Sequence, residues 1–283
     1  MDWALLIVIA LVGLCWGSFL NVVAYRLVHD IPFFTKRSLC PHCHVVLHWY
    51  DLIPVVSWVI LRGKCRACKA SISCLYPFIE CITALSFIML AWPLLQCDYD
   101  TVVTLSSAQH LLQSYGLASY VATLDYASCA ISAIFFSALI ASTRTDLEAM
   151  VIPQLFSIWL VPVAWLSASM GYLPISLLNS VLGAFLGYGI LWLIAYSFKR
   201  FTGTEGMGVG DMEFLSMIGA FLGPIGVWAS VMIGSLTGLA FGALYIFFLK
   251  CPRGVRIPFG PFLALGAACY YFWHEALTAF LLF

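Results

Sequence analysis

The chain has 283 residues, 63% of them hydrophobic and 9% charged, with a mean hydropathy of +1.00. Thirteen basic residues balance thirteen acidic ones. Such a composition excludes a soluble globular domain and describes a polytopic membrane protein, and the absence of a charge bias gives no reason to expect nucleic acid as a partner.

Apolar runs and the breakers between them predict an all-α polytopic membrane protein of about eight transmembrane helices. They fall at about 4–25, 77–95, 120–142, 152–169, 174–197, 212–222, 226–249 and 259–281. The sixth is short and stops at Gly223-Pro224, so it and the seventh are candidates for a tight re-entrant pair. With both termini outside, all thirteen basic residues fall on cytosolic connections: seven after the first span, then Arg144, then Lys199 and Arg200, then Lys250, Arg253 and Arg256. The other connections hold none, which is the positive-inside pattern. The first basic residue, Arg26, comes after the first apolar run, so the opening segment lacks the n-region of a cleaved signal and is expected to stay as a helix. Three parts result: a first helix (1–26), a cytosolic loop domain (27–76) and a seven-helix membrane domain (77–283).

The first span ends in Gly17-Ser18-Phe19-Leu20-Asn21, a small-residue face for close helix packing with an amide able to bond across it. The loop that follows carries Cys40-Pro41-His42-Cys43 and Cys65-Arg66-Ala67-Cys68, two C-x-x-C knuckles 21 residues apart. Tetrahedral zinc wants four soft ligands, and Cys40, Cys43, Cys65 and Cys68 have the spacing of a closed structural site. A loop of this size has little core of its own, so the metal would hold it folded. His42, His44, His48 and Cys74 are spare donors. The aromatic stretch Trp49-Tyr50-Asp51 and Trp58 fits three readings: packing on the metal site, lying at the membrane interface, or lining a pocket.

Residues 96–119 are polar without Lys or Arg, an external loop with no visible chemistry, and Asp98, Asp100 and Asp125 read as solvated or interfacial charges. Cys15, Cys81, Cys129 and Cys269 lie in apolar runs and behave as small hydrophobes. The third span leads into Thr143-Arg144-Thr145-Asp146-Leu147-Glu148, and Ile152-Pro153 opens the next, proline being favourable in a first helical turn. The fifth leads into Gly206-Met207-Gly208-Val209-Gly210-Asp211, with Asp211 as N-cap or first-turn residue of the sixth. An ionisable side chain at the edge of a transmembrane helix is expensive and marks a functional site. Asp146 and Asp211 sit at edges on the same side, where two carboxylates can share one proton and activate a water. The breaks at Arg253-Gly254 and Pro258-Phe259-Gly260-Pro261 precede the last span, and the basic residues there suit the inner leaflet.

In this order these residues resemble the bacterial type IV prepilin peptidases, bifunctional leader peptidases and N-methyltransferases. The resemblance covers Gly17-Ser18-Phe19-Leu20-Asn21-Val22-Val23, Tyr25-Arg26, the paired knuckles, Trp49-Tyr50-Asp51, Ile53-Pro54-Val55, Ser57-Trp58, Tyr76-Pro77 and Glu80. It continues through Asp146, Ile152-Pro153 and Glu205-Gly206-Met207-Gly208-Val209-Gly210-Asp211. The G-x-G-D element is also similar to that of archaeal preflagellin peptidases and presenilin. The resemblance implies Asp146 and Asp211 as the catalytic aspartates, with Gly208, Gly210, Glu148 and Pro153 shaping the site. It implies prepilin and pseudopilin precursors as substrates, cleaved after a glycine at the cytosolic face of the bacterial inner membrane, and S-adenosylmethionine as methyl donor. The residues that bind that donor, the oligomeric state and the particular substrates have no signature in the sequence, and no glycine-rich dinucleotide fingerprint is present.

Gln154 stands where the family usually has aspartate, Glu213 where lysine is common, Thr204 where lysine often precedes Glu-Gly-Met-Gly, and Ser142-Thr143-Arg144-Thr145 replaces an apolar run. None removes a proposed catalytic carboxylate. The rival reading is a non-catalytic membrane scaffold or assembly factor with a zinc-binding loop. It differs in predicting that loss of Asp146 or Asp211 is silent while loss of Cys40 or Cys65 is not.

Overall fold

The computed structural model describes residues 3–32, 37–96, 126–204, 206–249 and 257–282. The expectations for the loop with Asp98 and Asp100, for Asp125, for Glu205, and for the basic turn with Lys250, Arg253 and Arg256 lie outside these residues. Among the described residues the protein is helical, with two isolated bridges and no strand. Its helices are α1 (Trp3–Val28), α2 (Val56–Ile60), α3 (Leu75–Gln96), α4 (Tyr126–Ala149), α5 (Val161–Ser169), α6 (Leu177–Thr202), α7 (Val209–Leu249) and α8 (Gly260–Leu282). Five of them, α1, α3, α4, α6 and α7, are long and apolar enough to cross a membrane, and a shorter apolar stretch runs over Gln154–Ser169. The chain is therefore a multi-pass, all-helical membrane protein. It divides into two compact units between Arg144 and Thr145.

In the first unit α1 meets α3 where side chains are smallest. A Cβ built on Gly17 would lie 2.8 Å from the Glu80 Cα, so only glycine lets the backbones come this close. Polar groups in this contact are paired. Asn21 donates from Nδ2 to the Tyr76 carbonyl at 3.1 Å, and the buried Arg144 donates from Nε to Asn21 Oδ1 at 3.1 Å while lying over the Tyr76 ring. Ile7, Val8, Leu11 and Val12 of α1 are more than half exposed, the surface a helix offers to lipid.

The chain between α1 and α3 contains one strained residue. Val56 donates its N–H to the Pro54 carbonyl at 2.5 Å, two residues back, which closes a γ-turn on Val55 at φ 59° and ψ −50°. That conformation is costly for a β-branched residue. The Val55 N–H is anchored at 2.7 Å on the buried carboxylate of Glu80.

In the second unit α7 packs against α5, α6 and α8, and its first half is buried all round: Phe214, Leu215, Met217 and Ile218 are inaccessible. Gly223, at φ 74° and ψ −177°, breaks α7. Eight residues of continuous helix separate side chains by about 12 Å, yet the Val227 Cγ2 lies 2.7 Å from where a Gly219 Cβ would stand. The helix therefore doubles back at Gly223, as the Gly223-Pro224 signal predicted. Pro224 has no N–H for the Ala220 carbonyl one turn earlier. The buried Ser180 hydroxyl of α6 donates to that carbonyl instead, at 2.5 Å.

Two local expectations are corrected. The helix carrying Asp146 does not stop near Ser142 but continues to Ala149, because Arg144 and Thr145 are buried and helical despite their polarity. Nor does Pro153 open a helix. It caps a 3-10 turn over Gln154–Phe156, a second such turn covers Ile158–Leu160, and α-helix begins only at Val161.

Candidate active site and metal centre

Three pieces of the second unit converge on the acids. Asp146 lies in the last turns of α4 and is 5% exposed. The chain leaves that helix at Met150, whose N–H still donates to the Asp146 carbonyl at 2.9 Å. Gly260, the first residue of α8, donates its backbone N–H to Asp146 Oδ2 at 2.9 Å. That N–H is one of the donors a helix start leaves unpaired, and a carboxylate is its favourable partner.

Asp211 is in the first turn of α7 and partly exposed, and the backbone N–H of Gly208 lies beside its carboxylate, on the side where the returning half of a capping box sits. The two carboxylates are close enough for the Asp146 charge to act on Asp211. Gly210 allows this approach, since a Cβ there would lie 3.2 Å from the Ile152 Cβ and 3.5 Å from the Ile152 carbonyl oxygen. Asp146, Asp211, Gly208, Gly210 and Pro153 are thus brought into one region. Glu148 is not buried with them; it is exposed, and side chains two apart on a helix point to different sides.

Two of the departures from the family pattern are partners of each other. Gln154 donates from Nε2 to Glu213 Oε1 at 3.2 Å, and the Ser157 hydroxyl lies 3.4 Å from Glu213 Oε2. Neither this pairing nor the role of Gly260 emerges from the sequence. A backbone donor leaves no side-chain signature, and residues 59 apart show no local pattern linking them.

The first unit holds the four cysteines, in two turns built alike. Cys40 N–H donates to the Val45 carbonyl and His44 N–H to the Cys40 carbonyl; Cys65 N–H donates to Ala70 and Lys69 N–H to Cys65. Antiparallel bridges Leu39–Val46 and Lys64–Ser71 close the two turns, and the residue after each second cysteine, His44 or Lys69, takes positive φ of 56° or 61°. The four sulfurs all lie within 4.8 Å of one another, and Cys40 Sγ is 3.9 Å from Cys68 Sγ. Tetrahedral Zn–S bonds of about 2.3 Å place sulfurs about 3.8 Å apart, so the set fits zinc.

Electrostatics agree with that fit. The backbone N–H groups of Cys68 and Ala67 hold the Cys65 thiol down at about 6. The Ala70 N–H draws the Cys68 thiol down too, but burial and the facing sulfurs outweigh it and push Cys68 up to about 11. Bringing all four sulfurs to the thiolate form at this spacing therefore calls for a cation. The spare donors His42, His44, His48 and Cys74 are not part of the cluster. Of the aromatic stretch, Asp51 and Tyr50 engage Arg66 inside the second knuckle, by an ion pair of 2.8 Å and a ring contact of 5.0 Å. Trp58 donates to the Ile72 carbonyl, while Trp49 remains 77% exposed. Tyr50, Asp51 and Trp58 thus pack within the part of the chain that carries the cysteine cluster.

An all-helical multi-pass membrane protein with an acid pair at converging helix ends and a four-cysteine cluster is the class these features define. Residues 11–94 match the bacterial peptidase A24 N-terminal domain, and residues 133–245 match the type IV leader peptidase family. Three proteins named prepilin leader peptidase/N-methyltransferase are similar along most of their length. The Aeromonas hydrophila protein is 31% identical, covering 98% of this chain and 94% of its own. That of Pectobacterium carotovorum subsp. carotovorum is 32% identical over 91% and 89%, and that of Pseudomonas aeruginosa 29% over 95% and 90%. No solved structure matches the chain. The chain belongs to the type IV leader peptidase family.

Proposed function

We propose that this protein is a membrane aspartic endopeptidase that removes the short basic leader from type IV prepilins and type II secretion pseudopilins after a glycine. It then methylates the new N-terminal amine with S-adenosylmethionine. The observation that carries the peptidase reading is the meeting of Asp146 and Asp211 on different helices of one unit, each with a glycine backbone N–H beside its carboxylate. One ionised carboxylate takes a proton from water as its oxygen attacks the scissile carbonyl. The other, protonated, donates a hydrogen bond to the carbonyl oxygen. The proton taken from water then passes to the departing amine as the C–N bond breaks. Two acids this close titrate as a pair, so the roles belong to the dyad and not to one residue.

Cys40, Cys43, Cys65 and Cys68 would hold a structural zinc that folds the loop domain over 27–76, with no part in the hydrolytic step. The methyl-transfer reading is supported by the match of residues 11–94 to the N-terminal family model and by the relatives' names. In the bacterial inner membrane, eight spans with both termini on the periplasmic side put every basic residue in the cytosol. On this reading residues 77–283 are the membrane part that carries the acids.

The test is incubation of the detergent-purified protein with a prepilin-type peptide and S-adenosylmethionine, following the mass of the peptide. Leader loss in wild type and in neither Asp146→Asn nor Asp211→Asn is the expected result, with one added methyl marking the second activity. An intact leader with a zinc-loaded, folded wild type would move the reading to the scaffold.

A further inference from the structure

Each acid has its own backbone anchor, but these anchors leave one quantity open. Gly260 ties Asp146 to the start of α8, and Asp211 sits beside the Gly208 N–H at the start of its own helix. Neither fixes the separation between the segment that follows Asp146 and the first turn of α7. Gly210 rests against Ile152 there, but van der Waals contact is non-directional and tolerates sliding.

We infer that Gln154 and Glu213 are positioning residues for the aspartate pair, their hydrogen bond fastening the segment after Asp146 to the helical turn that carries Asp211. The inference rests on the peptidase reading above. It comes from two directional side-chain links between these segments: Gln154 Nε2 to Glu213 Oε1 at 3.2 Å, and Ser157 Oγ at 3.4 Å from Oε2. Glu213 follows Asp211 by two residues, so its carboxylate points to another side of the helix and leaves the dyad to itself. Ser157, fully buried, has a single hydroxyl proton and also faces the Pro153 carbonyl at 3.3 Å, so it serves one acceptor at a time. The Gln154 amide is the steadier donor. Being partly exposed, the bond adds little to global stability, and its effect belongs to the separation of the acids, hence to turnover more than to substrate binding.

A charge-swap cycle tests this. Gln154→Asp places two carboxylates face to face, and Glu213→Lys places an ammonium opposite an amide donor; together they form a complementary ion pair at the same positions. Cleavage of a prepilin-type peptide by the full-length, zinc-loaded protein in detergent gives kcat, KM and the pH profile of each variant, and thermal unfolding gives Tm. Gln154→Asp should lower kcat by about tenfold with KM little altered, as for coupled neighbours, and Glu213→Lys by less, since the Gln154 amide can turn its oxygen to accept from the ammonium. The double variant should return to within about threefold of wild type.

Unchanged single variants, additive losses in the double, or rescue of Tm without rescue of kcat would each overturn the positioning role. A wild type that leaves the peptide intact sinks the peptidase reading itself, and the positioning role with it. That outcome is told apart because only a cleaving wild type can give a cycle that fails.

Discussion

Gly260 donates its N–H to Asp146 Oδ2 at 2.9 Å, and a Cβ on the same residue would stand 2.8 Å from that oxygen. The donor and the steric limit are one residue. Gly260→Ala should therefore displace the carboxylate without removing it. The expected result is a loss of about tenfold to a hundredfold in kcat, with KM within about threefold, on the scale seen when a preorganised donor is disturbed. Peptide cleavage kinetics check it, with Gly171→Ala as a comparison: nothing lies within 4 Å of a Cβ there, so whatever it changes comes from its φ of 78° alone.

Metal content is the next expectation. The purified protein should carry one zinc per chain, released by strong chelators and by acidification, because protons compete for the thiolates. Cys40→Ser and Cys65→Ser should each lower the zinc content and make the loop sensitive to protease. His44→Gly and Lys69→Gly, by contrast, should keep the metal and raise Tm slightly, since both residues hold positive φ at about 1 kcal/mol each. Elemental analysis and limited proteolysis read the first pair of variants, and elemental analysis with thermal unfolding the second.

The Ser180 hydroxyl occupies the place of the N–H that Pro224 lacks. Ser180→Ala should cost about 1–3 kcal/mol, because it leaves the Ala220 carbonyl unpaired in an apolar interior. Ser167 is also buried, but its hydroxyl only adds a second bond to a carbonyl one turn back in its own helix. Ser167→Ala should cost less than half as much, and thermal unfolding in detergent compares the two.

Val55 sits in a γ-turn anchored by Glu80. Val55→Gly should relieve about 1–3 kcal/mol of backbone strain and raise Tm. Glu80→Leu should lower it by stranding the Val55 N–H and removing an acceptor from the α1–α3 contact. A Val55→Gly variant that unfolds at lower temperature would show that the side chain contributes more than the strain costs.

Much of this was legible in the sequence, for physical reasons that differ by feature. The knuckles were legible because cysteine pairs at fixed spacing have few other uses, and their two turns repeat the same bonds at Cys40 and Cys65. Asp146 and Asp211 stood out because a carboxylate at the edge of an apolar run is costly, and the structure brings the two into one region. The reversal at Gly223 was legible because glycine followed by proline breaks a helix locally. The extension of α4 to Ala149 was not, since hydropathy falls where the chain turns polar, whereas the buried Arg144 and Thr145 keep the helix going. The start of the next segment was misread because Pro153 is as suited to a 3-10 turn as to a helix. Gly260 and the Gln154–Glu213 pair were hidden because tertiary contacts between distant residues leave no period or spacing behind.

The reversal at Gly223 also bears on how the protein is made. Residues 209–222 form a helix of about 21 Å, against a hydrocarbon core of about 30 Å. A translocation channel scanning this stretch on its own meets a segment too short to retain, opening with two acids, Asp211 and Glu213. The longer half after Pro224 supplies the missing apolar length, so the two halves are best released into lipid together, as a hairpin. The second half of α7 thus carries the apolar length that the first half, with its two acids, lacks.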